Sequence, residues 1–121
     1  MIEVEKHKYL DLRECYYIKG TRILHREDGP AYTDRDGTKM WYINGKCHRE
    51  DGPAVVYPNG RFEWWVNGKR HRVDGPAAIW LGVGIEWHID GIYFPTKEAW
   101  FDALTEGQKE KALQSEYFIR G

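Results

Sequence analysis

A seven-residue block, His-Arg-x-Asp-Gly-Pro-Ala, recurs at His25–Ala31, His48–Ala54 and His71–Ala77, each copy 23 residues after the last. Trp41, Trp64 and Trp87 keep the same step, as do Asn44-Gly45, Asn67-Gly68 and Asp90-Gly91. A fixed period of this length is the mark of a repeat array. In such an array each unit buries its apolar face only by stacking on its neighbours. The chain is therefore bound to a stacked architecture.

Within each unit the residues read strand, turn, strand, turn. Ala31–Asp34, Ala54–Tyr57 and Ala77–Trp80 are the first strands. Lys39–Ile43, Phe62–Val66 and Ile85–Ile89 are the second strands. Asn44-Gly45, Asn67-Gly68 and Asp90-Gly91 predict tight type I′ turns, and Asp36-Gly37 and Asn59-Gly60 are candidates for the same turn. The third unit breaks the pattern, with Gly82-Val83-Gly84 in place of the pair and Trp80 in the register of Asp34. This break marks either a local functional demand or, the favoured reading, the joint with a C-terminal helical cap. The segment 1–14 reads as a short strand or N-terminal cap, and Cys15–Leu24 as a degenerate half-repeat. After Gly91, Thr96 is set to N-cap one helix and Thr105-Glu106-Gly107-Gln108 is a capping box for a second. Trp100, Phe101 and Leu104 give an apolar stripe, Ala112 and Leu113 point inward, and Tyr117, Phe118 and Ile119 return to the sheet. The expected organisation is one domain: a cap and half-repeat over 1–24, three repeats over 25–93 and a helical cap over 94–121, which covers the last sheet edge.

Period-two alternation divides the second strands. Trp41, Ile43, Phe62, Trp64, Val66, Ile85, Trp87 and Ile89 fall on one face, the expected core. Met40, Tyr42, Glu63, Trp65, Glu86 and His88 fall on the other. The ladder Tyr42, Trp65, His88 with Glu63 and Glu86, rimmed by Arg61, Lys39 and Lys69, is a candidate stacking surface for a nucleobase or flat peptide. It is equally the face that the terminal helices would cover. The recurring block offers His48, His71, Arg49 and Arg72, with His25 and Arg26, as a column of donors for phosphate or carboxylate. The favoured reading of that column is structural, because a residue present on every rung is what stacking requires.

Composition narrows the partners. With 18 basic and 19 acidic residues the formal net charge is −1, which excludes a bulk nucleic-acid binder. No run approaches membrane-spanning length, no secretory leader is legible, and two non-equivalent cysteines, Cys15 and Cys47, fit a reducing cytoplasm. A membrane partner is not expected. Neither a metal nor a cofactor is expected: the three block histidines sit on separate rungs with no acid or thiol in phase. There is no nucleophile elbow, phosphate loop or Cys-x-x-Cys, and His–acid pairs come as repeats where an active site would be unique. The expectation is a protein that is not an enzyme.

The run Gly60-Arg61-Phe62-Glu63-Trp64-Trp65-Val66-Asn67-Gly68-Lys69-Arg70-His71 resembles the core of a MORN repeat, which shares the 23-residue period. The adjoining block, His-Arg-x-Asp-Gly-Pro-Ala, departs from the MORN pattern and resembles arrays in small proteins of tailed phages and bacteria. The resemblance spans roughly Cys15–Tyr93. It implies an elongated, single-layer antiparallel β sheet and a protein that binds proteins or lipid headgroups; with the helices read from the tail, the expected fold is mostly β with a C-terminal α cap of two short helices. The expected function is a non-enzymatic, phage-type binding protein in the host cytoplasm. It would sequester or block a host component, either a nucleotide-like signal or a defence protein. The competing readings are a protein–protein assembly module, with homo-oligomers among its products, and a hydrolase acting on a held ligand.

Overall fold

The computed structural model describes residues 2–119, the side chain of Ile119 excepted. The chain is mostly β. Its strands are β1 (Val4–Lys8), β2 (Glu14–Ile18), β3 (Tyr32–Thr33), β4 (Lys39–Met40), β5 (Tyr42–Ile43), β6 (Lys46–Cys47) and β7 (Val55–Val56). They continue with β8 (Arg61–Glu63), β9 (Trp65–Val66), β10 (Lys69–Arg70), β11 (Ala78–Trp80), β12 (Gly84–Ile89) and β13 (Ile92–Phe94). Among the described residues three short helices follow: α1 (Lys97–Asp102), α2 (Glu106–Leu113) and α3 (Glu116–Ile119). The sequence predicts two helices; the third is a single turn after Ser115.

Nine strands form one antiparallel sheet in the order β1-β2-β3-β4-β7-β8-β11-β12-β13. Beside it stand the hairpins β5-β6 and β9-β10. The second strand of units one and two is thus divided, at Trp41 and Trp64. Each tryptophan is a pivot. Its N–H donates to the carbonyl of the next block's alanine (Trp41 to Ala54, 2.8 Å; Trp64 to Ala77, 2.7 Å). Its carbonyl accepts from the next block's histidine N–H (His48, 3.0 Å; His71, 3.1 Å). Ala31, Ala54 and Ala77 are fully buried at these crossings, where a larger side chain has no room. In unit three β12 runs through without the division.

The turns explain the asparagines. Asn44, Asn67 and Asp90 have φ of 50°, 51° and 49°, each followed by a left-handed glycine. That is the type I′ signature, and Asn and Asp tolerate it best among residues with a side chain. Asp36-Gly37 and Asn59-Gly60 differ from expectation. Only the glycine is left-handed there, and Gly37 and Gly60 donate to Asp34 and Tyr57. These are three-residue loops in which a turn is followed by a left-handed glycine, and Pro58 suits the turn's first corner. The added loop residue makes room for Pro58 and Arg35.

Thr96 and Thr105 cap α1 and α2 as the sequence requires, the latter with the full reciprocal box to Gln108. The main apolar cluster lies under these helices: Trp87, Ile89, Trp100, Leu104 and Ala112, with Val73, Phe94, Phe101, Tyr117 and Phe118 against it. Leu113, expected to point inward, is exposed, because Ala112 takes the inward position. Ile119's side chain, expected on the sheet, lies outside the described residues.

Candidate functional site

Alternation separates the faces as expected, but the expected core face is closed only at its third rung. Trp87 is 7% exposed, whereas Trp41, Trp64, Ile43, Val66 and Phe62 are half-buried and Ile85 is exposed. The physical reason is coverage: α1–α3 pack on Trp87 and Ile89 and reach the trough over Trp64 through Lys111 at its wall.

The recurring block builds the walls on this outer face. The histidine Nδ1 of each copy accepts the N–H of the type I′ turn residue 19 positions ahead: His25 from Asn44 (2.9 Å), His48 from Asn67 (3.0 Å) and His71 from Asp90 (3.0 Å). Each ring therefore fastens one rung to the next. The adjacent arginine is held three ways. Arg49 donates through Nε to Asp51 (2.9 Å) and through an Nη to the Pro53 carbonyl (3.0 Å), and its guanidinium lies 4.0 Å over the Trp41 ring. Arg72 repeats this with Asp74, Pro76 and Trp64, and Arg26 with Asp28, Pro30 and Tyr16. The block's glycine is there for space. A Cβ at Gly52 would stand 3.0 Å from the Arg49 guanidinium carbon, and one at Gly75 would stand 2.7 Å from that of Arg72. Each guanidinium is thus sandwiched between a glycine and an aromatic ring, a cation–π arrangement. Arg49, Arg72, His48 and His71 have structural partners, in line with the favoured reading of the column.

Between successive blocks the outer face is hollow. The first trough, about 600 Å³, has Trp41 and Ile43 as its floor and Arg26, Asp28, Arg49 and Asp51 in its walls. The second, about 420 Å³, has Trp64 and Val66 as its floor and Arg49, Asp51, Arg72 and Asp74 in its walls. The third position, over Trp87 and Ile89, is filled. Trp100 packs on Trp87 at a 47° tilt with ring centroids 4.7 Å apart, Tyr117 meets it edge-on at 5.9 Å, and Trp100 Nε1 donates to the Arg72 carbonyl (3.1 Å).

The inner face gathers Tyr42, Trp65, His88, Glu63, Glu86 and Arg61, the expected ladder, and closes it on itself. Glu63, 5% exposed, accepts from Arg61 Nε (2.8 Å) and Trp65 Nε1 (2.9 Å) and lies 3.4 Å from Arg70. Arg70 bridges to Glu86 (3.3 Å), which also contacts His88 (3.1 Å). Sequence reasoning does not single out Arg70. Its two carboxylate partners sit 7 and 16 positions away and meet it only through the rung register. Tyr42 donates to the Met40 sulfur and pairs across its hairpin with Cys47. Burial, helped by the Glu63 charge, pushes the Cys47 thiol up to about 12, and burial raises Tyr42 as well. Neither group is poised as a nucleophile at neutral pH. Of the expected rim, Lys39 lies in the row of Val56 and Phe62, on the opposite face. Lys69 lays its carbon chain under Gly91.

Among the described residues no cluster of three or more His, Cys, Asp or Glu could hold a metal ion, and no helix is long and apolar enough to cross a membrane. No family model, no curated protein and no solved structure matches this chain.

Proposed function

We propose that the protein is a non-catalytic binding module that holds a segment of another protein along its outer face, in the two troughs floored by Trp41 and Trp64. One observation carries this. The two open troughs repeat a third position that the chain fills with its own aromatic helices, so the chain itself displays the kind of occupant that fits. Asp28 and Asp51 give the open troughs an acidic border, their side chains 88% and 87% exposed. An amphipathic segment with one or two aromatic anchors and flanking Lys or Arg suits that combination.

A nucleotide-like ligand is less well served. The inner-face guanidinium groups of Arg61 and Arg70 are engaged by Glu63 and Glu86, and Arg49 and Arg72 by their own aspartates and proline carbonyls. A phosphate would have to displace carboxylates already in place. Blocking a host protein by occupying one of its segments is the form that the expected sequestration takes here, in keeping with the resemblance to small phage and bacterial repeat proteins. An assembly role would use the same surface.

The test is titration of the isotopically labelled chain with a peptide of sequence 96–118, the natural occupant of rung three. Binding should shift the resonances of Ile43 and Val66, and Ile43→Glu with Val66→Glu should abolish it. A peptide that leaves both residues unmoved would overturn the proposal, as would a melting temperature raised by nucleotides and left unchanged by the peptide.

A further inference from the structure

The third hairpin departs from the repeat in two respects that coincide in space. Its loop replaces Arg35-Asp36-Gly37 and Pro58-Asn59-Gly60 of the earlier rungs with Leu81-Gly82-Val83. Trp80, Leu81, Val83 and Ile85 are 41, 64, 68 and 50% exposed. The same hairpin leaves a backbone edge open. β4 is paired on its far side by β7, and β8 by β11. Gly84–Glu86 of β12 pairs with β11 alone, because β13 joins β12 only along Trp87–Ile89. Among the described residues no strand lies against the far side of Gly84–Glu86. The tail, expected to cover the last edge, packs on Trp87 and Ile89 and stops short of this half of the strand.

The opposite edge of the same sheet is protected in the usual way. β1 reads Val-Glu-Lys-His-Lys, with Lys6 paired to Glu14 and Lys19 to the preceding Glu3. Charges of this kind discourage strand addition. The Gly84–Glu86 edge carries one carboxylate, already held by Arg70 and His88, and neither Lys nor Pro. The favoured reading of this break in the repeat, a joint with the helical cap, does not hold: the loop packs Leu81 over Gly60 at the end of β12 remote from Ile89.

We propose that Gly84–Glu86 is a strand-addition site that takes an extended segment of a partner protein. The preceding rungs supply the template. On β8, the added strand places Ala78 opposite Glu63, Ile79 opposite Phe62 and Trp80 opposite Arg61. β12 presents Glu86, Ile85 and Gly84 in those three registers. The partner segment therefore carries a small aliphatic residue, Ala or Val, beside Glu86, a β-branched aliphatic residue beside Ile85 and an aromatic residue beside Gly84. An added Cβ at Gly84 would meet nothing within 4 Å, so an aromatic ring there has space to lie toward Trp80. Main-chain hydrogen bonds would hold the segment and the alternate side chains would select it. A second copy of the chain fits less well. Antiparallel self-pairing about Ile85 sets Glu86 opposite Gly84, where the template has an aromatic. This site is separate from the troughs and stands or falls without them.

The probe is a synthetic peptide of sequence 51–58, which contains β7, titrated into the labelled full chain. Amide shifts should be confined to Trp80–Glu86. Binding should weaken at least tenfold with Val56→Lys in the peptide, and likewise with Ile85→Lys in the protein, whose spectrum elsewhere reports that the fold is retained. No shift at millimolar peptide, or equal binding by Ile85→Lys, would overturn the proposal. A concentration-dependent dimer in sedimentation that Ile85→Lys abolishes would assign the edge to a second copy and overturn it too.

Discussion

Rungs one and two of the outer face and rung three stand on equivalent residues, yet they are finished differently. Trp41 and Trp64 are each roofed by a guanidinium from the next block, Arg49 or Arg72. Trp87 has no block after it and is roofed by Trp100 and Tyr117. A guanidinium pinned by an aspartate and a carbonyl covers one ring face and leaves the rest of the trough to water. The three helices leave Trp87 only 7% and Ile89 only 9% exposed. The difference shows that the repeat alone does not make a dry core. It makes a row of equivalent seats, and the chain has closed one of them.

The largest expected effect tests that contrast directly. Trp87→Ala should cost about 3–5 kcal/mol, the range for a fully enclosed tryptophan. Trp41→Ala should cost roughly half as much, in proportion to the smaller apolar area it buries. Urea denaturation of both variants measures this. Equal losses would mean that the troughs are as closed as the capped rung, and the proposed binding surface would be lost with that result. A second comparison uses the glycines. Gly75→Ala places a methyl 2.7 Å from Arg72 and 2.8 Å from Tyr117, whereas the nearest atoms to one at Gly52 are those of the Arg49 guanidinium, 3.0 Å away or more. Overpacking between two fixed groups costs roughly 1–3 kcal/mol, and Gly75→Ala should fall in that range. At Gly52 the arginine end can swing into the trough, so the loss should be about 1 kcal/mol or less. The reverse order would mean that the cap yields more easily than a single side chain.

Much of this is legible in the residues. The 23-residue step, the Asn-Gly turns and the Thr96 and Thr105 caps each depend on neighbours in sequence, and local chemistry decides them. The two-face alternation is legible for the same reason. Which face is the drier is not. Glu63 is buried because Arg61, Arg70 and Trp65 satisfy it, and Arg70 reaches Glu63 and Glu86 only once the second and third rungs are in register. Phe62 and Ile85 look like core residues on any hydropathy scale, yet Phe62 is only half-buried and Ile85 is 50% exposed. The open edge at Gly84–Glu86 is hidden for a similar reason. A sequence states that a cap exists, but the half of the strand it covers depends on where Trp100 and Tyr117 come to rest.

The smallest effect serves as the control. The histidine lock has the same length at an open rung and at the capped one: His48 and His71 each accept a turn N–H at 3.0 Å. Neither bond passes through the helices. His48→Ala and His71→Ala should therefore cost the same, about 1 kcal/mol each, the net worth of one hydrogen bond whose donor can turn to water. Chemical denaturation resolves a difference of that size when the two variants are run side by side. Matching values would place the distinction between the rungs wholly in what lies over the tryptophans. A markedly larger loss at His71 would mean that the cap also tightens the ladder beneath it, so that closing one seat stiffens the seat next to it.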